Sequence, residues 1–206
     1  MDQRKEQHCV LQRRLIRTAS HAALCVLTGN LPIYIKVRMR KESYDITRIM
    51  KSSAVDSETC HGNWQSEWDN YNKDNVTKKL IRKASIFANK RMDIDHSTMQ
   101  LPTGHGIFNV YRKRIGKDVD TRCWDCGEAN DDAEHVLFVS PKWINERTEL
   151  ENYVGISVNV DNLVEVMTAK EEYWQRFKGF CKTVMSHRRE MEKQKELVNR
   201  RSVVVI

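Results

Sequence analysis

The chain has 206 residues, enough for one domain of moderate size or two small ones. Apolar residues make up 40% and charged residues 31%, a balance that permits a modest, helix-borne core and excludes wholesale disorder. Eight glycines and three prolines are too few for a collagen-like, linker-rich or turn-rich all-β chain.

No apolar run approaches the roughly 18–20 residues that span a bilayer, so no membrane partner is expected. The first eight residues, Met1 to His8, lack the apolar core of a secretory signal. The expected location is therefore intracellular, nuclear or cytoplasmic, with reduced thiols. Of Cys9, Cys25, Cys60, Cys123, Cys126 and Cys181, only Cys123 and Cys126 stand at ligand-like spacing.

The net charge of +7 conceals strong segregation. Residues 1–51 carry +7, residues 52–71 carry −4, and residues 72–122 carry +7. Residues 123–174 carry −9 and residues 175–206 carry +6. The basic blocks suit phosphate tracking; the plainer reading is a solvated helix face.

In chain order, the 3–4 spacing of Val10, Leu11, Leu15, Ala19, Ala22, Ala23 and Val26 predicts a helix over 3–28, stopped by Gly29-Asn30 and Pro32. Ile33 to Met50 reads as a second helix, although the alternation from Ile33 to Met39 also suits a strand. Residues 52–63 read as loop. Trp64 and Trp68 share one helical face. Leu80, Ile81, Ala84, Phe87 and Ala88 predict a helix over 77–91. The run Leu101 to Gly106 breaks the chain, and Ile107, Phe108, Tyr111 and Ile115 resume a short helix. Ser140-Pro141 opens another, with Trp143, Ile144, Arg147 and Leu150 facing inward. Asp161 or Asn162 caps a short helix through Met167. Tyr173, Trp174, Phe177, Cys181, Val184 and Met185 mark the last packed helix. Residues 187–201 read as its charged, protruding or frayed extension, followed by the apolar end Val203 to Ile206. Strand signals are few, with at most a short ribbon at Cys123–Cys126.

One motif carries chemistry. Two residues separate Cys123 from Cys126, so both sulfurs can reach one ion from a single tight turn, and Gly127 can supply the bend. His135 follows after eight residues and offers a third vertex. After four intervening residues, Ser140 occupies the place of a fourth ligand. A neutral hydroxyl is a poor zinc ligand beside thiolates. Water, Asp131, Asp132, Glu134, Cys181 or His105 are the substitutes. The alternatives are free thiols in a loop and a Ser140 that only caps the helix begun by Pro141.

Several segments then resemble one family in order and spacing. They are Leu24 to Ile33; Trp64-Gln65-x-x-Trp68; Leu101-Pro102-Thr103-Gly104-His105-Gly106-x-Phe108; and Tyr111 to Gly116. Cys123-x-x-Cys126, Glu134 to Phe138, Pro141-x-Trp143 and Asp161 to Met167 continue the series. The chain resembles, over residues 10–185, the C-terminal part of the polyprotein of insect-type non-LTR (LINE-like) retrotransposons, downstream of the reverse transcriptase core. It departs from that pattern in three ways. The family's zinc knuckle ends in Cys where this chain has Ser140. The segment Arg17 to His21 is shortened. The paired aspartates of the polymerase hairpin have no counterpart, because Asp131-Asp132 lies inside the polar insert of the knuckle.

The expected fold is mainly α, an irregular helical bundle with a small zinc-knuckle-like insert. The expected organisation is a helical connector over 1–60 and a basic helical region over 61–122. A degenerate knuckle over 123–154 and C-terminal helices with a charged tail over 155–206 complete it. The resemblance implies a non-catalytic nucleic-acid-binding tail module for target-primed reverse transcription, with RNA or DNA and the element's own polymerase domain as partners. Zinc would sit on Cys123, Cys126 and His135, weakly held or lost because of Ser140. Arg112, Lys113, Arg114, Lys117 and Arg122 would contact phosphates. Trp124 would stack on a base, or else pack on the His135 helix and shield the site. The alternatives are a reverse transcriptase by family name only and an inactive helical remnant. His105, between two glycines, reads as a structural or phosphate-contacting residue, with no nucleophile at a motif spacing.

Overall fold

The computed structural model describes residues 20–50, 57–71, 75–87 and 92–203. The described residues form helices and turns, and no strand occurs among them. They divide into two compact units, with the boundary between Asp93 and Ile94. None of the described helices is long and apolar enough to cross a membrane.

In the unit that ends at Asp93, helix α1 is His21–Leu27, whose Ala23 to Leu27 are buried. Ser20 is extended and its hydroxyl accepts from the Ala23 amide at 3.1 Å. That cap places a helix start late in the stretch read as one helix over 3–28. The earlier part of that stretch lies outside the described residues. Helix α2 is Ile33–Met50, which settles the helix-or-strand ambiguity in favour of helix. Helix α3, Ser57–Asp69, begins within the stretch expected to be loop.

The helix expected over 77–91 is broken. Helix α4 covers Asn75–Leu80, residues 81–83 are irregular, and a 3-10 turn covers Ala84–Phe87. Side chains of α3 take over the backbone groups that a continuous helix would use. Trp68 Nε1 donates to the Ile81 carbonyl at 2.8 Å. Gln65 donates to the Arg82 carbonyl and accepts from the Ala84 amide, both at 2.8 Å. Leu80, Ile81, Ala84 and Phe87 still reach the core with Trp64 and Trp68. Their apolar pattern is therefore satisfied by a kinked path.

In the second unit, Asp95 caps helix α5, His96–Thr103, accepting from the Thr98 amide at 2.8 Å. Pro102 lies in its last turn, and Gly104 ends it with φ 64°, a left-handed geometry that glycine adopts without strain. Gly106 is constrained by space: a Cβ there would come within 2.4 Å of Gln100 Oε1 and displace that side chain. Helix α6 is Asn109–Arg114. After the cysteine segment come a π-helical turn, His135–Val139, and a 3-10 turn, Pro141–Trp143. Helix α7, Ile144–Val154, follows, then α8, Leu163–Met167; Asn162 stands at its cap position, but its side chain accepts from the Asn159 amide and does not cap the helix. Ile144 is exposed, against the expectation that it faces inward, while Trp143 and Leu150 are buried.

The unit is organised by α9, Glu171–Val203, which packs on α5, α7 and α8. Trp174, Phe177, Phe180, Cys181, Val184 and Met185 form its buried stripe. Helical order continues through the charged segment past Ser186 as far as Val203, and Arg188 within it is buried. Residues 204–206 lie outside the described residues.

Candidate metal centre

Cys123 to Gly127 form a tight turn. The Gly127 amide donates to the Cys123 carbonyl at 3.0 Å, and Gly127 has φ 79°. The Cys123 amide donates to Glu128 and the Asp131 amide to Thr121, each at 2.8 Å. Those two cross-links stand where a ribbon was expected. Asp132 Oδ1 accepts from the His135 amide at 2.7 Å and so fixes the start of the turn that carries the imidazole.

One ligand atom from each of Cys123, Cys126 and His135 lies within 4.8 Å of the others. Cys126 Sγ is 3.3 Å from His135 Nε2. Tetrahedral zinc, with Zn–S about 2.3 Å and Zn–N about 2.0–2.1 Å, needs ligand atoms roughly 3.5–3.8 Å apart. The three residues fit such an ion after small movements. Cys123 and His135 are buried and Cys126 is half-buried. Burial pushes the Cys123 thiol up to about 11, against the lowering effect of the Asp125 and Cys126 amides.

Ser140 follows His135 through the π-helical turn, its amide donating to the His135 carbonyl at 2.7 Å. In an α-helix the fifth residue on is rotated by about 140° from the first. The wider π turn brings it back toward the same face. The turn thus makes sense of the four-residue spacing between His135 and position 140. The Ser140 hydroxyl is fully buried and has no hydrogen-bond partner, so it does not cap the following turn. Among the described residues, no other Cys, His, Asp or Glu joins the cluster. Asp131 is committed to Arg188, Asp132 to the His135 amide, and His105 stacks on Tyr111 and receives Arg114 Nη2 at 3.0 Å.

The five cations named from sequence fall into two kinds. Arg112 is buried and pairs with Glu192 and, at 3.6 Å, with Asp118. Lys113, Arg114, Lys117 and Arg122 are exposed. Arg122 also pairs with Asp120 at 3.4 Å, and Arg114 lies over the Tyr111 ring. Trp124 is half-buried, and three cations face its ring: Lys195 at 4.5 Å, Arg112 at 5.4 Å and Arg188 at 5.7 Å. The residues missed from sequence are His187 and Arg188; Asp131, named there as a substitute ligand, instead pairs with Arg188. The one signal for Arg188 was its phase, four residues after Val184 and seven after Cys181.

Two cysteines and a histidine thus converge in one loop of a helical chain and could hold a metal ion. Comparison with known proteins finds similarity to polyproteins of mobile elements. It is 24% identical over 199 residues to the "Retrovirus-related Pol polyprotein from type-1 retrotransposable element R1 4" of Nasonia vitripennis, covering 87% of this chain. It is 27% identical over 163 residues to the R1 2 counterpart from the same wasp, covering 69%. It is 28% identical over 100 residues to the R1 counterpart of Popillia japonica, covering 48%. The chain's homologues are thus R1 non-LTR retrotransposon Pol polyproteins of insects, in agreement with the resemblance carried by its motifs. The chain spans 50%, 40% and 38% of these relatives' lengths. No family model matches the chain. No solved structure matches it significantly.

Proposed function

We propose that the chain is a non-catalytic, nucleic-acid-binding module of an R1-type Pol polyprotein, built around a small zinc centre. The convergence of Cys123, Cys126 and His135 carries this reading. Thiolate and imidazole donors suit zinc rather than magnesium or calcium. The ion would stabilise a loop whose apolar content is too low to hold it alone. Its affinity would be modest, because Ser140 offers a hydroxyl where a thiolate would close the tetrahedron.

The exposed Lys113, Arg114, Lys117 and Arg122 precede and flank the ligand turn, where phosphates of single-stranded RNA or DNA would sit. The adjacent aspartates support the non-catalytic part: Asp131 is buried in an ion pair and Asp132 caps the His135 turn, so neither is presented for two-metal chemistry. The polymerase part of the same polyprotein is the proposed protein partner, in the nucleus or cytoplasm.

Fluorescence anisotropy with labelled single-stranded RNA and DNA tests the binding. Metal analysis after purification tests the centre. Binding with sub-stoichiometric zinc that rises in a Ser140→Cys variant is the expected result. Absence of binding to either nucleic acid, or nucleotide incorporation in a primer-extension assay, would sink the reading.

A further inference from the structure

Helix α9 reaches the ligand loop with two consecutive residues. His187 Nε2 is 2.7 Å from Oδ1 of Asp125, the residue directly before Cys126. Arg188 pairs with Asp131, on the polar stretch between Cys126 and His135, and also donates to the Ile107 carbonyl. The Arg188 guanidinium lies 5.3 Å from the Phe108 ring and 5.7 Å from that of Trp124, the residue directly after Cys123. Both members of the Arg188–Asp131 pair are essentially without solvent contact. Asp131 is tied on its other sides too: its carboxylate accepts from the Asn109 amide at 2.9 Å and its carbonyl from the Val110 amide at 3.2 Å.

Burying an arginine is costly unless its fork is matched by acceptors and its faces by rings. Here a carboxylate on Nη2, a carbonyl on Nε and two aromatic faces meet most of that need, and each belongs to the ligand loop or to the segment that supports it; Nη1 has no hydrogen-bond partner among the described residues. Further along the same side of α9, Glu192 holds Arg112 and Lys195 lies on Trp124. Residues 187, 188, 192 and 195 lie within about 140° of one another around a helix. A single face of α9 therefore grips the turn that carries both thiols.

We propose that His187 and Arg188 are positioning residues of the metal centre. They fix the Cys123–Cys126 turn and the Asp131 corner so that two sulfurs and one imidazole meet at one point. By linkage, a metal ion on those ligands strengthens the docking of the distal half of α9. This inference rests on the reading of Cys123, Cys126 and His135 as ligands. It adds two residues more than 50 positions away that lie outside the ligand cluster: Arg188 offers no lone pair to a metal, and the Nε2 of His187 is engaged by Asp125.

The test is titration of the full chain with cobalt(II), read by the visible bands of tetrahedral thiolate coordination, with competition by zinc. Arg188→Met should weaken cobalt binding by roughly 10–100-fold, the usual cost of losing an outer-shell partner. Arg188→Lys should recover part of the loss, and His187→Gln should cost a few-fold. Amide hydrogen exchange over residues 187–198 should slow on metal addition in the parent chain and not in Cys126→Ser. A parent chain that binds no cobalt would overturn the metal reading itself, and this inference with it. A parent chain that binds, with Arg188→Met folded by circular dichroism and of equal affinity, would overturn only the inference. If Arg188→Met does not fold, the half-exposed His187→Gln decides. Unchanged affinity in that variant, together with metal-independent exchange in the parent, would equally overturn the inference.

Discussion

The segment from Asn109 to Arg122 and the distal half of α9 are both basic, and each contains one buried arginine among exposed cations. The two arginines are held differently. Arg188 meets a fully buried aspartate and lies against two aromatic rings. Arg112 meets two acids, Asp118 and Glu192, that keep 19% and 24% of their side-chain surface. Their neighbours Lys113, Arg114, Lys193 and Lys195 remain in solvent. Net charge per segment therefore overstates what is available to a phosphate. Within each basic block, the buried arginine is held by the protein's own carboxylates, and one exposed cation, Arg122 or Lys193, also lies beside one.

That difference predicts a ranking of stability losses. Arg188→Met leaves Asp131 as an unpaired buried charge, and thermal or urea unfolding should show a loss of about 3–5 kcal/mol. Arg112→Met removes hydrogen bonds to partly solvated acids and should cost about 1.5–3 kcal/mol. Equal losses, or a larger one for Arg112, would break the comparison.

A half-exposed pair supplies the next step down. Lys178 Nζ lies 3.8 Å from Asp95, the cap of α5. Burial pushes the Asp95 carboxyl up, but hydrogen bonds from Thr98 and the nearby Lys178 ammonium outweigh it and hold it below the ordinary aspartate range. Asp95→Ala should cost about 0.5–2 kcal/mol through the lost cap. Lys178→Ala should cost no more than about 1 kcal/mol. The Asp95 contribution has a definite sign with pH. A depressed folded pKa gives stability that is present above the unfolded value of about 3.9 and lost as pH falls through the lower folded value. The gap between the parent chain and Asp95→Ala, measured by urea unfolding, should therefore narrow below about pH 4 and stay constant between pH 5 and 7.

The parts of this structure legible in the sequence are those set by short-range spacing. Cys123, Cys126 and His135 converge because a two-residue gap and a capped turn leave little choice. The stripe from Trp174 to Met185 is buried because apolar residues at 3–4 spacing have one face to hide. The illegible parts are set by tertiary hydrogen bonds. Nothing in the run from Val76 to Ala88 announces that Gln65 and Trp68 will claim the carbonyls of Ile81 and Arg82 and break the helix. Nothing but helical phase marks Arg188 apart from Arg189, although one is buried and the other is not. The sequence offers Asp131 only as a substitute ligand, since a carboxylate's partner 57 positions away leaves no local trace.

The smallest effect on stability should accompany the clearest effect on binding. Lys113 and Arg114 are exposed, so replacing both with Ala should leave the unfolding transition within about 0.5 kcal/mol. On a single strand, each neutralised phosphate releases about 0.7 counterion. Contacts from Lys113, Arg114, Lys117 and Arg122 would give a slope of log affinity against log salt near −3, and the double variant should reduce it by about 1.4. Arg112→Met should do the opposite: lower the melting temperature and leave the slope alone, because its charge already faces Glu192 and Asp118. Anisotropy titrations at four or five salt concentrations read the slopes directly. If Arg112→Met shallows the slope as much as the Lys113/Arg114 pair does, the buried arginine is exchanging its carboxylates for phosphate. The division between structural and phosphate-facing cations would then fail. If neither variant moves the slope, the exposed cations are a solvated helix face and the nucleic-acid reading loses its electrostatic basis.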